Sequence, residues 1–232
     1  MISATVTLND KLVNSVQYWR RVLGENKGKQ KVRGPSRTSR NAWLQAAMDI
    51  LITEGVDQVK VLNLAEKMKC ARSSFYWYFK NRSELLDALL DYWAETNTRA
   101  IVSAAGQSAD TINFALAKLF VGWIGGDAFD NSLDFAIRDW ARRSENVRHA
   151  LEVSDRARID AITAMFVRHG YDAGEADVRA RIVYFTQIGY EILEQKEDWE
   201  VRAAKSRNYL FCLTGVEPTE DEIGVLARSE YI

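Results

Sequence analysis

The segment VKVLNLAEKMKCARSSFYWYFKNRSELL, Val59 to Leu86, decides how the rest of the chain is read. Leu62, Leu64, Ala65 and Met68 signal a short helix, and the pattern breaks around Lys69 to Ala71. A second short helix, Arg72 to Tyr78, carries a run of aromatics. After Phe79, Lys80-Asn81-Arg82-Ser83-Glu84 restarts a helix that continues through Leu85, Leu86, Leu89 and Leu90. Two short helices, a tight turn, and polar and basic residues on the second helix describe a helix-turn-helix, which sets one helix in the major groove of DNA.

Upstream, Ser36 or Thr38 is placed to cap a helix whose apolar face is Trp43, Leu44, Ala47, Ile50 and Leu51, ended by Glu54-Gly55. Val56 and Val59 are expected to plug the resulting three-helix core. Residues 1–35 form an extension. Within it Asp10 to Leu23 has helical spacing at Leu12, Val16, Trp19 and Leu23. The run NKGKQKVRGPSR that follows suits a basic arm along phosphates or in the minor groove and a plain linker equally.

Downstream, a long helix runs from Arg82 toward Ala104, with a weak boundary at Ala104 to Ser108. Helical patterns then cover Thr111 to Ile124, Leu133 to Arg143, Val147 to His169, Glu175 to Glu194 and Trp199 to Leu213. Gly215 to Pro218 ends the last of them. The chain is therefore read as all-α: an N-terminal three-helix helix-turn-helix domain over 36–96, a helical bundle over 97–215, and a tail over 216–232.

Composition agrees. Two prolines in 232 residues leave long helices uninterrupted, and valine and isoleucine do not fall into alternating runs. A hydrophobic content of 47% with 27% charged residues fits a folded globular protein rather than a disordered one. No apolar run reaches membrane-spanning length. The polar N-terminus lacks a signal-peptide core, so a cytoplasmic location is expected. Cys70 and Cys212 lie far apart without metal-ligand spacing and read as reduced thiols; no metal or cofactor is expected. His149 and His169 are the only histidines, and no nucleophile–base set or phosphate loop accompanies them. The chain is not expected to be an enzyme.

Net charge is −1, but it is unevenly spread. Between Lys27 and Arg82 twelve basic residues face four acidic ones, a net +8, which leaves −9 for the remainder. A positive field centred on the helix-turn-helix points at a phosphate backbone. Arg72, Ser73, Ser74 and Trp77 stand at the start and middle of the recognition helix, where base edges are expected, and Arg72 can pair with guanine O6 and N7. Arg82 opens the next helix, where its charge and the helix N-terminus favour phosphate. Phe75 and Phe79 read as core.

These residues resemble the tetracycline-repressor (TetR) family of bacterial transcription regulators. The first helix ends Ile50-Leu51-Ile52-Thr53-Glu54-Gly55, and Leu64-Ala65 follows. The recognition helix ends Tyr76-Trp77-Tyr78-Phe79, and Lys80-Asn81-Arg82-Ser83-Glu84-Leu85 restarts the chain. The likeness covers about fifty residues and carries little detail beyond Ala100. The sequence departs from the family pattern at Lys60, where a Thr or Ser cap is usual, at Lys69 in place of the turn glycine, and at Ala71 in place of a capping Ser. The resemblance implies phosphate contacts from the Tyr76 and Tyr78 hydroxyls, and Lys60 would make a charged contact in place of a hydroxyl.

The resemblance also implies a ligand-binding and dimerisation role for the bundle. Phe114, Trp123, Phe135, Phe166 and Tyr184 are candidate wall residues, with Arg138, Gln187 and the Tyr184 hydroxyl as polar handles. For each aromatic taken singly a solid core is the better account, and Arg138 suits an ion pair with Asp139 equally. Small residues (Ala180, Gly189, Ala203, Ala204) among large apolar ones in the last two long helices fit a four-helix homodimer interface. Such a dimer presents two recognition helices to a palindromic double-stranded operator. The expected function is a repressor released by a small lipophilic ligand; the alternative is a DNA-binding regulator acting through protein partners without one.

Overall fold

The computed structural model describes residues 38–124, 129–193 and 198–227, and every regular element among them is helical. The expected helix over Asp10 to Leu23 and the basic arm before it reaches Thr38 lie outside the described residues, as do the breaks at Gly125-Gly126 and Lys196.

Helix α1, Arg40–Glu54, begins at Ser39, whose Oγ accepts the Ala42 N–H at 3.0 Å. The cap is therefore Ser39 and neither Ser36 nor Thr38, because Ser39 has the extended backbone a cap requires. Gly55 leaves the helix at φ 82, a conformation that favours glycine. A 3₁₀ turn, Val56–Gln58, leads to α2, Val61–Lys67. Lys69 then takes φ 52, the one non-glycine residue at positive φ among those described. The missing turn glycine is thus replaced by a strained lysine, at a cost of ~1–2 kcal/mol.

The recognition segment Arg72–Trp77 is a 3₁₀ helix rather than the expected α-helix. Ala71 offers no side-chain cap, and the Ser74 hydroxyl instead donates to the Ala71 carbonyl at 2.6 Å. The short i→i+3 bonds Ser74 N–H to Ala71 O and Tyr78 N–H to Phe75 O complete the tight winding. Helix α3, Arg82–Ala105, starts with reciprocal caps: Asn81 Oδ1 accepts the Glu84 N–H at 2.9 Å, and Glu84 Oε2 accepts the Lys80 N–H at 2.7 Å.

The body follows as α4 (Ile112–Ile124), α5 (Asn131–Ala141), α6 (Glu145–Arg168), α7 (Ala173–Ile192), α8 (Trp199–Ala204), α9 (Ser206–Thr214) and α10 (Glu220–Ala227). The stretch Trp199 to Leu213, expected as one helix, is two, broken at Lys205. The expected tail contains α10. Its start is a Thr219–Glu222 box: Glu222 Oε2 accepts the Thr219 N–H at 2.7 Å, and Thr219 Oγ1 accepts the Glu222 N–H at 3.4 Å. Glu222 also accepts a short hydrogen bond from the Thr111 hydroxyl, which ties α10 to the start of α4.

Two apolar cores result. The first joins Trp43, Ile50, Leu64, Phe75, Phe79 and Trp93 of the head to Leu133, Ile137 and Ala141 of α5 and Val147 of α6. It crosses the boundary expected near residue 96, because α5 packs on α1. The second joins Ile101, Leu116, Trp123, Phe129, Ile162, Phe166, Val183 and Leu210. No helix among the described residues is long and apolar enough to cross a membrane.

Candidate nucleic-acid interface and buried polar cluster

Phe75 and Phe79 are fully buried, with the Trp43 ring edge-on to Phe75 at 5.3 Å. They hold the recognition segment against α1 and turn the intervening side chains outward. Tyr76 is 61% exposed and Trp77 is 83% exposed. Arg72 and Ser73 are exposed beside them, and Ser74 is half-buried with its hydroxyl already donated to Ala71. Lys60 is exposed at the start of α2, where its side chain makes no cap. Tyr76 lies edge-on to Phe75 at 5.3 Å, so its ring is held in place, and with Trp77 it offers a flat apolar surface among cationic side chains.

Two expected phosphate ligands are engaged elsewhere. Arg82 donates from Nε to the Val59 carbonyl at 2.6 Å and from Nη2 to the Val56 carbonyl at 2.7 Å. The Val56 carbonyl also accepts the Val59 N–H of the 3₁₀ turn at 3.2 Å, and the guanidinium fork spans it and the Val59 carbonyl together. Tyr78 donates its hydroxyl to the Thr38 carbonyl at 2.7 Å. Both residues therefore brace the head rather than offer free donors. Lys69 and Lys80, exposed at the turn and before α3, were missed as cationic candidates; their adjacency to the motif was the available signal.

In the body, Trp123, Arg138 and Tyr184 come together, and they meet residues the sequence did not single out. Asp134 lies at the centre, 3% exposed. It accepts from Trp93 Nε1 at 2.8 Å, Arg158 Nη1 at 2.9 Å and Arg138 Nε at 2.9 Å. Arg138 also grips Asp155 with both terminal nitrogens, at 3.0 and 2.8 Å. The Tyr184 hydroxyl donates to Asp155 at 2.6 Å and accepts from Arg138 and Arg158 at 2.9 and 3.2 Å. The cluster links α3, α5, α6 and α7. Its signal in the sequence was the pairing of Asp134 with Arg138, four residues apart, and of Asp155 with Arg158, three apart.

Burial alone would raise the Asp134 carboxyl, but Arg158, Arg138 and the Trp93 N–H together hold it below the ordinary carboxylate range. Burial would lower Arg158, yet Asp134 and Tyr184 hold it charged. Burial pushes the Tyr184 phenol up, against the opposing pull of Arg158.

The other expected wall residues are scattered. Phe166 is buried edge-on to Tyr171, 5.2 Å between ring centroids. Phe114 is half-buried near the start of α4. Gln187 is buried but donates to Glu191 at 3.0 Å. Phe135 is 45% exposed and lines a groove of about 250 Å³ with Leu51, Gly55, Val56 and Arg143, outside the body's interior. It also borders the small gap beside the cluster with Phe129, Asn131 and Arg138, so it stands at the rim of the body rather than deep inside it. Arg138 does not pair with Asp139, which meets Arg143 at 3.3 Å instead.

Beside the cluster the described residues leave only about 10 Å³ of free space. A much larger open cleft, about 1030 Å³, lies at the end of α3 remote from the head. Three of its polar side chains are matched to backbone carbonyls: Arg168 to Ala105 at 2.5 Å, Tyr171 to Thr214 at 2.5 Å and Arg179 to Leu213 at 2.8 Å. The cluster, where buried donors of Arg158 and Trp123 have no partner among the described residues, is the better candidate for a specific ligand. On the outer face of α7, Val178, Ile182, Phe185 and Ile192 are exposed in one stripe with Gly189 between them, and Phe211 of α9 is exposed as well.

Residues 44–89 match the family profile described as bacterial regulatory proteins, tetR family. The chain is 31% identical over 160 residues to the tetracycline repressor protein class A from transposon 1721 of Escherichia coli, covering 68% of each chain. It is 27% identical over 163 residues to the class C protein of Escherichia coli, covering 69% of this chain and 68% of that one. Among solved structures, Mycobacterium smegmatis AmtR superposes with TM-score 0.56 at 18% identity, over 85% of this chain and 96% of that one. The fatty acid degradation regulator FadR from Bacillus halodurans superposes with TM-score 0.55 at 16% identity, over 80% and 97%. At such identities these structures establish the fold alone.

Proposed function

The chain belongs to the tetR family of bacterial regulatory proteins, so it is a DNA-binding transcription regulator and not an enzyme; from that footing we propose that it is a homodimeric repressor released by a small-molecule effector. The observation that carries the DNA half is the pair Tyr76 and Trp77, exposed on a segment pinned from beneath by Phe75 and Phe79. Arg72, Ser73, Tyr76 and Trp77 are assigned to the duplex, with Lys60, Lys69 and Lys80 toward phosphates. Ser74 contributes only its outer edge.

The apolar stripe on α7, with Phe211 of α9, supports self-association. Two-fold pairing through it sets two recognition segments on a palindrome, whose half-sites lie ~34 Å apart or a small multiple of that. The Asp134 cluster supports the effector half, since its helices include both α3, which begins in the head, and α5, which packs on it. An effector releases DNA only if it binds the DNA-free arrangement more tightly. The lack of free space beside the cluster favours a second reading, regulation through protein partners with no small ligand.

The test starts from operator selection with a random duplex library and the full chain, then measures fluorescence anisotropy on the selected site. A palindromic site, a steep fall in affinity between low and physiological salt, and at least tenfold loss in Arg72→Ala at unchanged thermal stability are expected. Salt-independent binding, or full affinity in Arg72→Ala, refutes the interface.

A further inference from the structure

The cluster is complete for acceptors and incomplete for donors. Arg158 is wholly buried and commits Nε to Thr98 Oγ1 at 3.2 Å and Nη1 to Asp134 and Tyr184. Its Nη2, which carries two N–H donors, has no hydrogen-bond partner among the described residues. Trp123, equally buried, has its Nε1 in the same condition. Both flank the same two rings. The Trp123 ring lies 5.7 Å from Phe129 and 5.5 Å from Tyr184, and the Arg158 guanidinium sits 5.4 Å over Phe129.

A buried donor without an acceptor is costly, and burying two in one place calls for an explanation beyond packing. What is lacking is acceptor oxygen. Charge narrows the choice further. Two arginines, Arg138 and Arg158, face two aspartates, Asp134 and Asp155, and these four formal charges cancel, while Glu191, which also lines the gap, offers an anion nothing to pair with. An ionised occupant would leave one charge uncompensated in a water-poor interior. The surrounding surface is flat and aromatic, with Trp93, Trp123, Phe129 and Tyr184 all contributing.

Resting on the proposal that this cluster receives an effector, we infer that the effector is an uncharged planar aromatic compound whose carbonyl-type oxygen is taken up by Trp123 Nε1 and Arg158 Nη2. Because the space is closed, the occupant must part α5 from α7. Phe129, Asn131 and Phe135 on one side and Ile188 and Ile192 on the other line the small gap where that parting begins. Asn131 Oδ1, also without a partner among the described residues, faces a donor group of the same compound where one is present.

The experiment compares three probes of one ring system, fluorene, 9-fluorenone and fluorene-9-carboxylate, by calorimetric titration into the full-length protein. Fluorenone is expected to bind at least about tenfold more tightly than fluorene, since its oxygen gains two buried hydrogen bonds, one from a charged donor, and more tightly than the carboxylate. Trp123→Phe keeps a ring and removes the N–H; the fluorenone-to-fluorene ratio falls about fivefold, the loss of one of the two hydrogen bonds. The ratio is read within each protein, and the wild-type comparison stands even where the variant is unstable. Equal binding of fluorene and fluorenone, preference for the carboxylate, an unchanged ratio in a folded Trp123→Phe, or binding of none of the three overturns the inference. Release of operator DNA by some other compound would then preserve the effector proposal while ending this one.

Discussion

Replacing Asp134 with asparagine isolates the electrostatic centre of the body. The change keeps side-chain volume and one carbonyl oxygen, so packing around Trp93 and Arg158 is hardly altered. It removes the charge that faces Arg158 and Arg138, each 2.9 Å away, and puts an amide N–H₂ where one of those donors needs an acceptor. Breaking one side of a buried ion pair typically costs ~3–5 kcal/mol. Asp155 still holds Arg138 at 2.8 Å and approaches Arg158 to 3.9 Å, which places the expected loss near the lower end, about 3 kcal/mol. For a chain of this size that is about 6–12 °C in Tm. Differential scanning calorimetry at pH 7 measures it directly. The pH dependence adds a second condition. The Asp134 carboxyl is held below its ordinary value of 3.8 in the folded chain, so its contribution is full above that value and disappears as pH falls through the depressed one. The gap in Tm between wild type and Asp134→Asn therefore closes in acid. A shift under 2 °C at pH 7 would refute the reasoning, and so would a gap that widens as pH falls.

Four other outcomes follow from the same contacts. Trp77→Ala, which removes an exposed ring, lowers operator affinity at least tenfold while Tm moves by less than about 2 °C, the range of surface substitutions; a larger drop in Tm would make Trp77 structural. Arg82→Ala loses two charge-assisted bonds to the Val56 and Val59 carbonyls and destabilises the chain by about 3 kcal/mol in urea titration, whereas a normal stability with lost DNA affinity would return Arg82 to the phosphates. Lys69→Gly relieves the positive φ and raises stability by about 1 kcal/mol, read from the same titration. Phe185→Asp places a charge in the exposed α7 stripe and converts the proposed dimer to monomer in sedimentation analysis; an unchanged dimer mass excludes that face as the interface.

The head was legible because its signals are local. Phe75 and Phe79 read as core and Tyr76 and Trp77 as surface because a three-helix domain cannot bury four neighbouring aromatics, and the burial agrees. The winding of Arg72–Trp77 was not legible, since it turns on one serine hydroxyl choosing the Ala71 carbonyl. Arg82 and Tyr78 were misread for a related reason. Their donors are met by carbonyls far off in sequence, 23 to 40 residues away, and no local pattern announces such partners. In the body, helix periodicity gave the elements but not their contacts. Asp134, Arg138, Asp155 and Arg158 are ordinary surface-type pairs until three helices close over them. Thr219 and Glu222 were readable as a capping box and were passed over as tail.

The sharing of one apolar core between the head and α5 bears on how such regulators can be re-engineered. A graft that lifts residues 36–96 onto a foreign sensor would strip Trp93, Leu85 and Leu89 of the neighbours supplied by Leu133, Ile137, Ala141 and Val147. A transplant that reads DNA faithfully has to carry α5 and the start of α6 through Val147, so the seam between two such proteins falls inside the body and not at the end of the head.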